Sequence, residues 1–439
     1  MLLVILWIVI YLFLLTKNKS IVILYAPSLF ILVKISSQIL TLQKYNEADI
    51  LLNYLSIFFI IYLSLSIIFK NKSKIKSYGL LKAIFIFILF LFILILITSS
   101  DVWLSFKRGL NITTSLLLFL AIYLNRFSLQ FFKIGIYQVI IYLLLFALNG
   151  LFFTVLKIGP SINEFYYMKG YSASFLRLGN FGFFELHGVA ILTGLTFLYL
   201  KIPFPRKIKF IIIIISLVNI VIIYFTYKRT FLAIVISEVL LFYVLNTISS
   251  SRKLINAVTA IISIAVLYIL FGGYISAFIK HRAQVNTKYA IENTGRVLEF
   301  TLYPEVVKYR NNPTEFVLFG TETFNSAGKF KVLNSKIQGG DDRFLHNDYS
   351  HLLYGTGVIG LLLYIYILIL LYRKSFSFIQ TFSNNQLIKN YSIASLIIIS
   401  GIMISGLGDG ILALHNRVVP FYAIGLFLSF LNNYKKYVR

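Results

Sequence analysis

The chain has 439 residues, of which 59% are hydrophobic and only 13% are charged, and its mean hydropathy is +0.86. A domain of this length cannot bury so much apolar surface in water, so the composition excludes a soluble protein. The formal net charge of +26 lies in short basic clusters between apolar runs, which argues against nucleic-acid binding, and the absence of cysteine excludes disulfides, thiolate nucleophiles and cysteine-ligated metals.

The long apolar runs predict an all-α, polytopic helical membrane protein. The first run, "LLVILWIVIYLFLL", has no basic segment before it and no small-residue cleavage site after it, so we expect a retained helix and not a signal peptide. Later runs such as "IKFIIIIISLVNIVIIYF" approach the length needed to cross a hydrocarbon core of about 30 Å. Counting one helix for each run predicts about 12 or 13 transmembrane helices, with 12 if the first two runs form one re-entrant unit.

The connections between the runs fall into two alternating sets. One set is basic and free of Asp and Glu, as the positive-inside rule expects of cytoplasmic loops. This set comprises residues 17–19, 70–76, 126–133, 201–209, 252–253, 373–374 and 435–439. The other set comprises residues 47–49, 101, 157–183, 227–230, 275–345 and 409–417. We therefore expect a multi-pass protein of the bacterial plasma (inner) membrane, with the second set facing the periplasm or exterior.

The outer connection at 275–345 is the one long polar stretch. Eight of the 15 acidic residues lie between Glu292 and Asp348, and loops of this length tend to be functional or separately folded. The predicted organisation is an N-terminal transmembrane bundle (1–274), a large extracytoplasmic loop with short helices (275–348) and C-terminal transmembrane helices (349–439).

Within this loop, "RVLEFTLYPEVVKYR" is predicted to form a short amphipathic helix. Its apolar face would hold Val297, Phe300, Val306 and Val307. We expect the loop as a whole to be too polar to lie in lipid.

The stretch "YFTYKRTFLAIV" places Lys228 and Arg229 between two helices with almost no loop. One interpretation is a basic pair that extends to the membrane surface at a helix end. The pair falls in the outer set, however, where the positive-inside rule disfavours basic residues, and we favour an anionic ligand. In "NTGRVLEF", Arg296 stands just inside a helix N-terminus that could bind an anion, although taken alone a solvated arginine is the simpler interpretation.

The stretch "DDRFLHNDYSHLLYGTGVIGLLLYIYILI" places His346 immediately before an apolar helix that Asn347 or Ser350 would cap. A helix N-terminus disfavours imidazolium, so His346 should stay neutral and able to accept a proton. The alternative is a structural histidine bonded to a nearby carbonyl. His351 is five residues on and on another helical face, and we predict no metal site and no cofactor.

These stretches carry a family resemblance. "HNDYSHLLYGTGVIGLLLYIYILI" closely resembles the signature of the O-antigen ligase and polymerase superfamily: a His-Asn pair, an aromatic two residues on, and Gly-x-x-Gly-Leu leading into an apolar helix. "TGRVLEFTLYPEVVKYRNNPTEFVLFGTETFNS" resembles the block that precedes it, "YKRTFLAIVI" the basic entry to a transmembrane helix, and "LGNFGFFELHGVAILTGL" an earlier Asn-containing segment. Order and spacing match over roughly residues 177 to 370.

The resemblance implies a C-type glycosyltransferase fold acting on undecaprenyl-pyrophosphate-linked sugars at the outer face. By analogy, Arg229 and Arg296 would hold the pyrophosphate leaving group, and His346 would remove a proton from the acceptor hydroxyl. This agrees with the chemistry, because guanidinium binds phosphate through two N–H groups and a sugar hydroxyl needs a base near neutrality. The remaining predicted substrate-binding residues are Lys228, Asn347, Arg343, Tyr349 and Arg417.

The predicted function is polymerisation of O-antigen or capsule repeat units. The main alternative is the ligase that transfers finished glycan to lipid A core, and a more distant one is a polysaccharide transporter or flippase. Transporters tend to show inverted repeats and paired broken helices, which the sequence does not display. The predicted partners are the lipid-linked glycan donor and acceptor and membrane lipid, with a chain-length regulator and a flippase as further candidates, and no nucleic acid.

Overall fold

The structure is a computed structural model, and about 90% of the part it describes is helical, with no strand there. The prediction of an all-α protein is confirmed for these residues. The residues described are 2–42, 46–72, 79–125, 127–156, 182–194, 204–225, 229–247, 299–300, 302–324, 345, 347–382, 384–407 and 414–438.

The described chain forms 15 α-helices, and a 3₁₀ turn joins the second to the third. The first ten are α1 (Leu2–Leu15), α2 (Lys19–Val22), α3 (Ala26–Leu42), α4 (Asn46–Lys70), α5 (Gly79–Thr98), α6 (Val102–Leu124), α7 (Leu129–Leu156), α8 (Gly182–Thr193), α9 (Arg206–Phe225) and α10 (Arg229–Thr247). The last five are α11 (Tyr303–Lys308), α12 (Pro313–Phe319), α13 (Asp348–Thr381), α14 (Gln386–Gly406) and α15 (Leu414–Val438).

Six helices of the described chain are long and apolar enough to cross a membrane, which fits a multi-pass membrane protein. The predicted total of 12 or 13 spans stays a prediction. The six candidate spans are Lys19–Ser37, Ile50–Lys70, Gly79–Thr98, Leu129–Leu151, Asp348–Thr381 and Gln386–Gly406.

The two helices at the centre of the bundle, α6 and α15, are not among these six. Residues 112–124 of α6 and 417–431 of α15 are all buried, and the two helices pack against each other. A Cβ on Gly425 would lie 3.0 Å from the carbonyl oxygen of Phe119, so a small residue lets the backbones approach. Because these helices are surrounded by protein and not by lipid, they tolerate more polar residues than the outer helices.

One end of the bundle collects connections that the sequence assigns to the cytoplasmic set. Lys19 Nζ donates to Ser66 Oγ at 3.3 Å, Asn125 Nδ2 donates to the carbonyl of Ser20 at 3.4 Å, and Ser429 Oγ donates to the carbonyl of Asn125 at 2.6 Å. The connections after α1, α4 and α6 therefore meet at this end.

The opposite end collects members of the other set. The Glu322 carboxylate, from the long loop, accepts hydrogen bonds from Ser100 N at 3.1 Å and Ser100 Oγ at 2.9 Å, beside Asp101. Asp348, where the long loop ends, pairs with Arg417, which follows the connection between α14 and α15. The division of these connections into two groups is confirmed, whereas the side of the membrane that each end faces stays a prediction.

The amphipathic helix predicted in the loop is only partly correct. The observed helix is Tyr303–Lys308, with Pro304 in its first turn, where a residue without an N–H is tolerated. Val306 is buried as predicted, but Phe300 is 38% exposed, while Glu299 has no exposed surface. Because the proline starts a separate helix, the buried side of that helix does not follow the periodicity predicted for one continuous helix.

Candidate functional site

The structure describes the side chains of three of the eight predicted site residues, Asn347, Tyr349 and Arg417, and brings them together at the end of the bundle that holds the long loop. Arg229 is the first residue of α10, and its side chain is not described. The remaining predicted residues, which lie outside the described chain, are His346, Arg296, Arg343 and Lys228.

Asn347 caps α13 and is one of the two caps that the sequence predicts, the other being Ser350. Its extended backbone (φ −113°, ψ 130°) places the side-chain oxygen so that it accepts from Tyr349 N at 2.8 Å and from Ser350 N at 3.4 Å. The backbone carbonyl of Asn347 accepts the first helical hydrogen bond, from His351 N at 2.9 Å. Asparagine satisfies N–H groups that a helix start leaves open, so the backbone directly after position 346 is fixed.

Tyr349 lies against the end of α14. Its hydroxyl donates to the carbonyl of Met403 at 2.7 Å, and its ring lies 3.1 Å from the position that a Cβ on Gly406 would occupy. The glycine therefore allows the close contact. The phenol is engaged within the protein, and its predicted contact with substrate stays a prediction.

Asp348 and Arg417 form a buried ion pair. Each side chain is only 1% exposed, and Arg417 Nη2 donates to Asp348 Oδ2. Arg417 Nη1 donates to Ser405 Oγ and, at 3.3 Å, to the carbonyl of Ile402. The guanidinium thus joins the first turn of α13 to the last turn of α14 from its own position in α15.

This pair is a structural feature that the sequence did not reveal. Two charges removed from water are tolerated only when they are paired and hydrogen-bonded. The sequence predicts a substrate contact for Arg417 and assigns no role to Asp348. The structure shows that the pair holds three helices together, and the substrate contact of Arg417 stays a prediction. The only indication of this contact in the sequence was a pair of opposite charges. Each lies near the start of an apolar helix that follows a connection of the outer set.

The helix α13 is broken at Gly357, nine residues after its start. This residue has φ 63° and ψ −172°, a conformation that favours glycine. A Cβ there would lie 2.2 Å from the carbonyl oxygen of Leu318 in α12, so the loop backbone occupies the space beside the break. Gly320, with φ 71°, takes part in the same close contact: a Cβ there would lie 2.6 Å from the backbone N of Thr356.

Residues 320–324 form what we call the docking segment, which ties the loop to this break. Thr321 N donates to the carbonyl of Tyr354 at 2.9 Å, and Thr323 Oγ1 donates to the carbonyl of Gly355 at 2.6 Å. Both carbonyls belong to the last turn before the break, where the regular helical partners are missing. The loop therefore satisfies polar groups that could not be left open in a membrane protein interior.

The same segment reaches the start of α6 and the end of α5. Arg108 Nη1 donates to the carbonyl of Phe324, and Glu322 N donates to the carbonyl of Thr98 at 3.2 Å. Glu322 (φ 51°) and Phe324 (φ 60°) both have positive φ, which costs free energy for residues other than glycine. Such strain persists only where the surroundings determine the backbone, and here three helices do so.

The rest of the described loop packs on α13 through aromatic rings. Tyr303 stacks on Phe316 with centroids 5.7 Å apart and meets the Tyr354 ring edge-on at 5.0 Å. Burial raises the pKa of Tyr303 to about 12, so its phenol stays neutral near pH 7. Arg310 covers the Phe316 ring with its guanidinium 4.9 Å from the centroid. The loop is thus fixed to the helix that carries the His-Asn motif.

Glu238, in α10, is another of the buried acidic groups in the described chain. It has no exposed surface, and neither carboxylate oxygen makes a hydrogen bond of normal geometry within the described chain. The carboxyl group lies between two glycines: a Cβ on Gly194 would be 2.2 Å from Oε2, and a Cβ on Gly401 would be 2.5 Å from Oε1. The space is shaped for the carboxyl group itself.

We expect Glu238→Gln to be as stable as the wild type within about 1 kcal/mol, because a neutral amide of the same shape costs less to bury than an unpaired carboxylate. Gly401→Ala should destabilise the protein by about 1–3 kcal/mol, since the added methyl overlaps the side chain of Glu238. Thermal unfolding in detergent, followed by size-exclusion chromatography, measures both. A marked loss of stability in Glu238→Gln would mean that the carboxylate has a charged partner.

Comparison with models of known protein families gives no match, and no curated protein matches the sequence of this chain.

Proposed function

We propose that the protein is a glycosyltransferase that polymerises undecaprenyl-pyrophosphate-linked oligosaccharide repeat units at the outer face of the bacterial plasma membrane. The observation that supports the proposal is how firmly the residues directly after His346 are held in place. Asn347 caps α13, and the next residue, Asp348, is held by a buried ion pair. A rigid support directly beside a proposed base is what general-base catalysis requires, because efficiency depends on position.

In this proposal, His346 takes the proton of the acceptor hydroxyl while that oxygen attacks the anomeric carbon of the donor sugar. The bond from that carbon to the pyrophosphate oxygen breaks, and the lipid pyrophosphate leaves with the bonding electrons. The N-terminal end of the α13 dipole disfavours imidazolium, which keeps the resting histidine in the form that can accept a proton.

Arg229 and Arg296 neutralise the charge that develops on the leaving group in this mechanism. No nucleophilic side chain is needed, since pyrophosphate is already a good leaving group and requires cationic donors. The docking segment supports the proposal indirectly, because it fixes the loop that contains Arg296 to α13.

Deletion of the gene, followed by gel analysis of surface glycolipid, tests the proposal. Loss of a polymerase should leave single repeat units attached to their carrier molecule at the surface. Loss of a ligase should leave no attached glycan, which would favour the alternative function. An unchanged ladder of repeat units would exclude both.

We expect Arg229→Lys and Arg296→Lys to lose most polymerisation while the protein still accumulates in the membrane. Lysine keeps the charge but cannot bind two phosphate oxygens through a planar fork. The same change at Arg206, which is exposed at the start of α9 in the predicted cytoplasmic set, is the matched control and should have no effect. Polymer length on gels and immunoblots of membranes measure the two quantities. Full activity of either variant would reduce that arginine to a surface cation.

A further inference from the structure

The loop helix α12 changes polarity along its length. Its first residues, Pro313 to Glu315, follow two asparagines and are exposed, and two of these three are polar. Its last four residues are Phe316, Val317, Leu318 and Phe319. Only Phe316 of these four is buried; Leu318 is 39% exposed and Phe319 is 37% exposed. A gradient from polar to apolar along a short helix is the pattern of a segment that crosses from water into a nonpolar phase.

The apolar end of α12 lies nearer to the middle of the bundle than the polar connections at this end do. The rings of Phe319 and Phe90 are in contact, with centroids 6.5 Å apart. Phe90 precedes the end of α5, Thr98, by eight residues, which corresponds to roughly 12 Å along the helix. The chain then returns within three residues, because Glu322 binds Ser100 just beyond the end of α5. The loop therefore enters to this depth and turns back.

The face of α5 that receives Phe319 is itself exposed. Ile86, Ile93 and Ile97 lie on the same side of the helix as Phe90, at intervals of four, three and seven residues, and are 55%, 44% and 74% exposed. The helix α5 is the most apolar of the candidate spans, so this face is a lipid-facing one. Phe319, which contacts Phe90 and is partly exposed, continues that face, and the exposed Leu318 precedes it in the chain.

We propose that α12 is a re-entrant element whose last turn, Leu318 and Phe319, inserts among the acyl chains of the membrane leaflet at this end of the bundle. The partner is the hydrocarbon of the bilayer, which the continuity with the exposed face of α5 indicates. The proposal departs at this turn from the sequence-based expectation that the whole loop is too polar for lipid, and that expectation stays a prediction. The insertion sets the height of the docking segment, and with it the height of the break in α13, relative to the membrane.

Site-directed spin labelling in proteoliposomes tests the proposal, and the absence of cysteine from the chain provides a clean background. Single variants Leu318→Cys and Phe319→Cys are labelled in phosphatidylethanolamine–phosphatidylglycerol vesicles. Collision with oxygen, which concentrates in hydrocarbon, is compared with collision with a polar nickel chelate. Ile93→Cys, on the same face of α5 as Phe90 and 44% exposed, is the lipid-facing control, and Tyr309→Cys, at a position 76% exposed, is the aqueous control.

We expect the labels at 318 and 319 to behave like the label at 93, with oxygen access at least several-fold above nickel access relative to position 309. Dominant nickel access at both positions would place the turn in water and overturn the proposal. Low access to both reagents would mean that a protein surface covers the turn, which would also overturn it. Two adjacent positions are used so that failure of one variant to fold does not remove the test.

Discussion

Replacing Arg417 with methionine is expected to cost about 3–5 kcal/mol of folding free energy, because Asp348 would remain as a buried carboxylate without its counter-charge. The loss should appear as a lower amount of protein in the membrane and a lower unfolding temperature in detergent. Arg206→Met removes an exposed arginine from the other end of the bundle and serves as the matched control, with an expected change near zero.

The double variant Asp348→Leu/Arg417→Met distinguishes the net contribution of the ion pair from the cost of leaving one buried charge without its partner. Replacing both members by apolar residues of similar volume leaves no buried charge, so much of the lost stability should return. If Arg417→Met is as stable as the wild type but loses polymerisation, the guanidinium serves the substrate, as the sequence had suggested, and the structural role is wrong.

The local features of the site could be predicted from the sequence. The Asn347 cap follows from a short-range rule, since the side chain bonds only to the backbone of the second and third residues after it. Pairing between distant residues is different. Asp348 and Arg417 are 69 residues apart, and nothing in the pattern of either segment indicates which charge meets which. The contact depends on how three helices pack, which hydropathy does not specify.

Hydropathy also describes the outside of the bundle better than its centre. It recovers α5 and α13, which face lipid, but it gives a weaker signal for α6, where residues 112–124 are buried among other helices. The break at Gly357 could not be predicted for a similar reason. A glycine in an apolar run indicates close packing only when the segment that packs against it is known. Here that segment is α12, which is more than thirty residues earlier in the chain.

The positive-φ residues of the docking segment connect this packing to the site. Glu322 and Phe324 hold unfavourable backbone conformations because α5, α6 and α13 all accept contacts from the segment. The loop, the broken helix and the ion pair therefore form one continuous set of contacts at this end of the bundle. Asn347, the second residue of the His-Asn motif, lies within that set, so its position depends on residues far from it in sequence.

The largest expected effect on activity is at His346. If this histidine is the general base, His346→Ala should lower the rate of polymerisation by about 10²–10⁴-fold, the usual contribution of a positioned base, without lowering the amount of folded protein. His346→Gln keeps hydrogen-bonding groups but cannot take up a proton near neutrality, so it should be nearly as inactive. In a purified assay with lipid-linked donor, the wild-type rate should fall below about pH 6.5 as the imidazole becomes protonated.

The control for this experiment is His351, which is only 3% exposed and follows the cap by one turn of α13. Because truncating a buried side chain would leave a cavity, the matched change is His351→Gln, which should affect the rate far less than the same change at His346. Equal losses at both positions would indicate damage to the helix start and not loss of a base. Substantial turnover by His346→Gln would mean that the side chain only orients the acceptor, since an amide can hold a hydroxyl in place but cannot remove its proton.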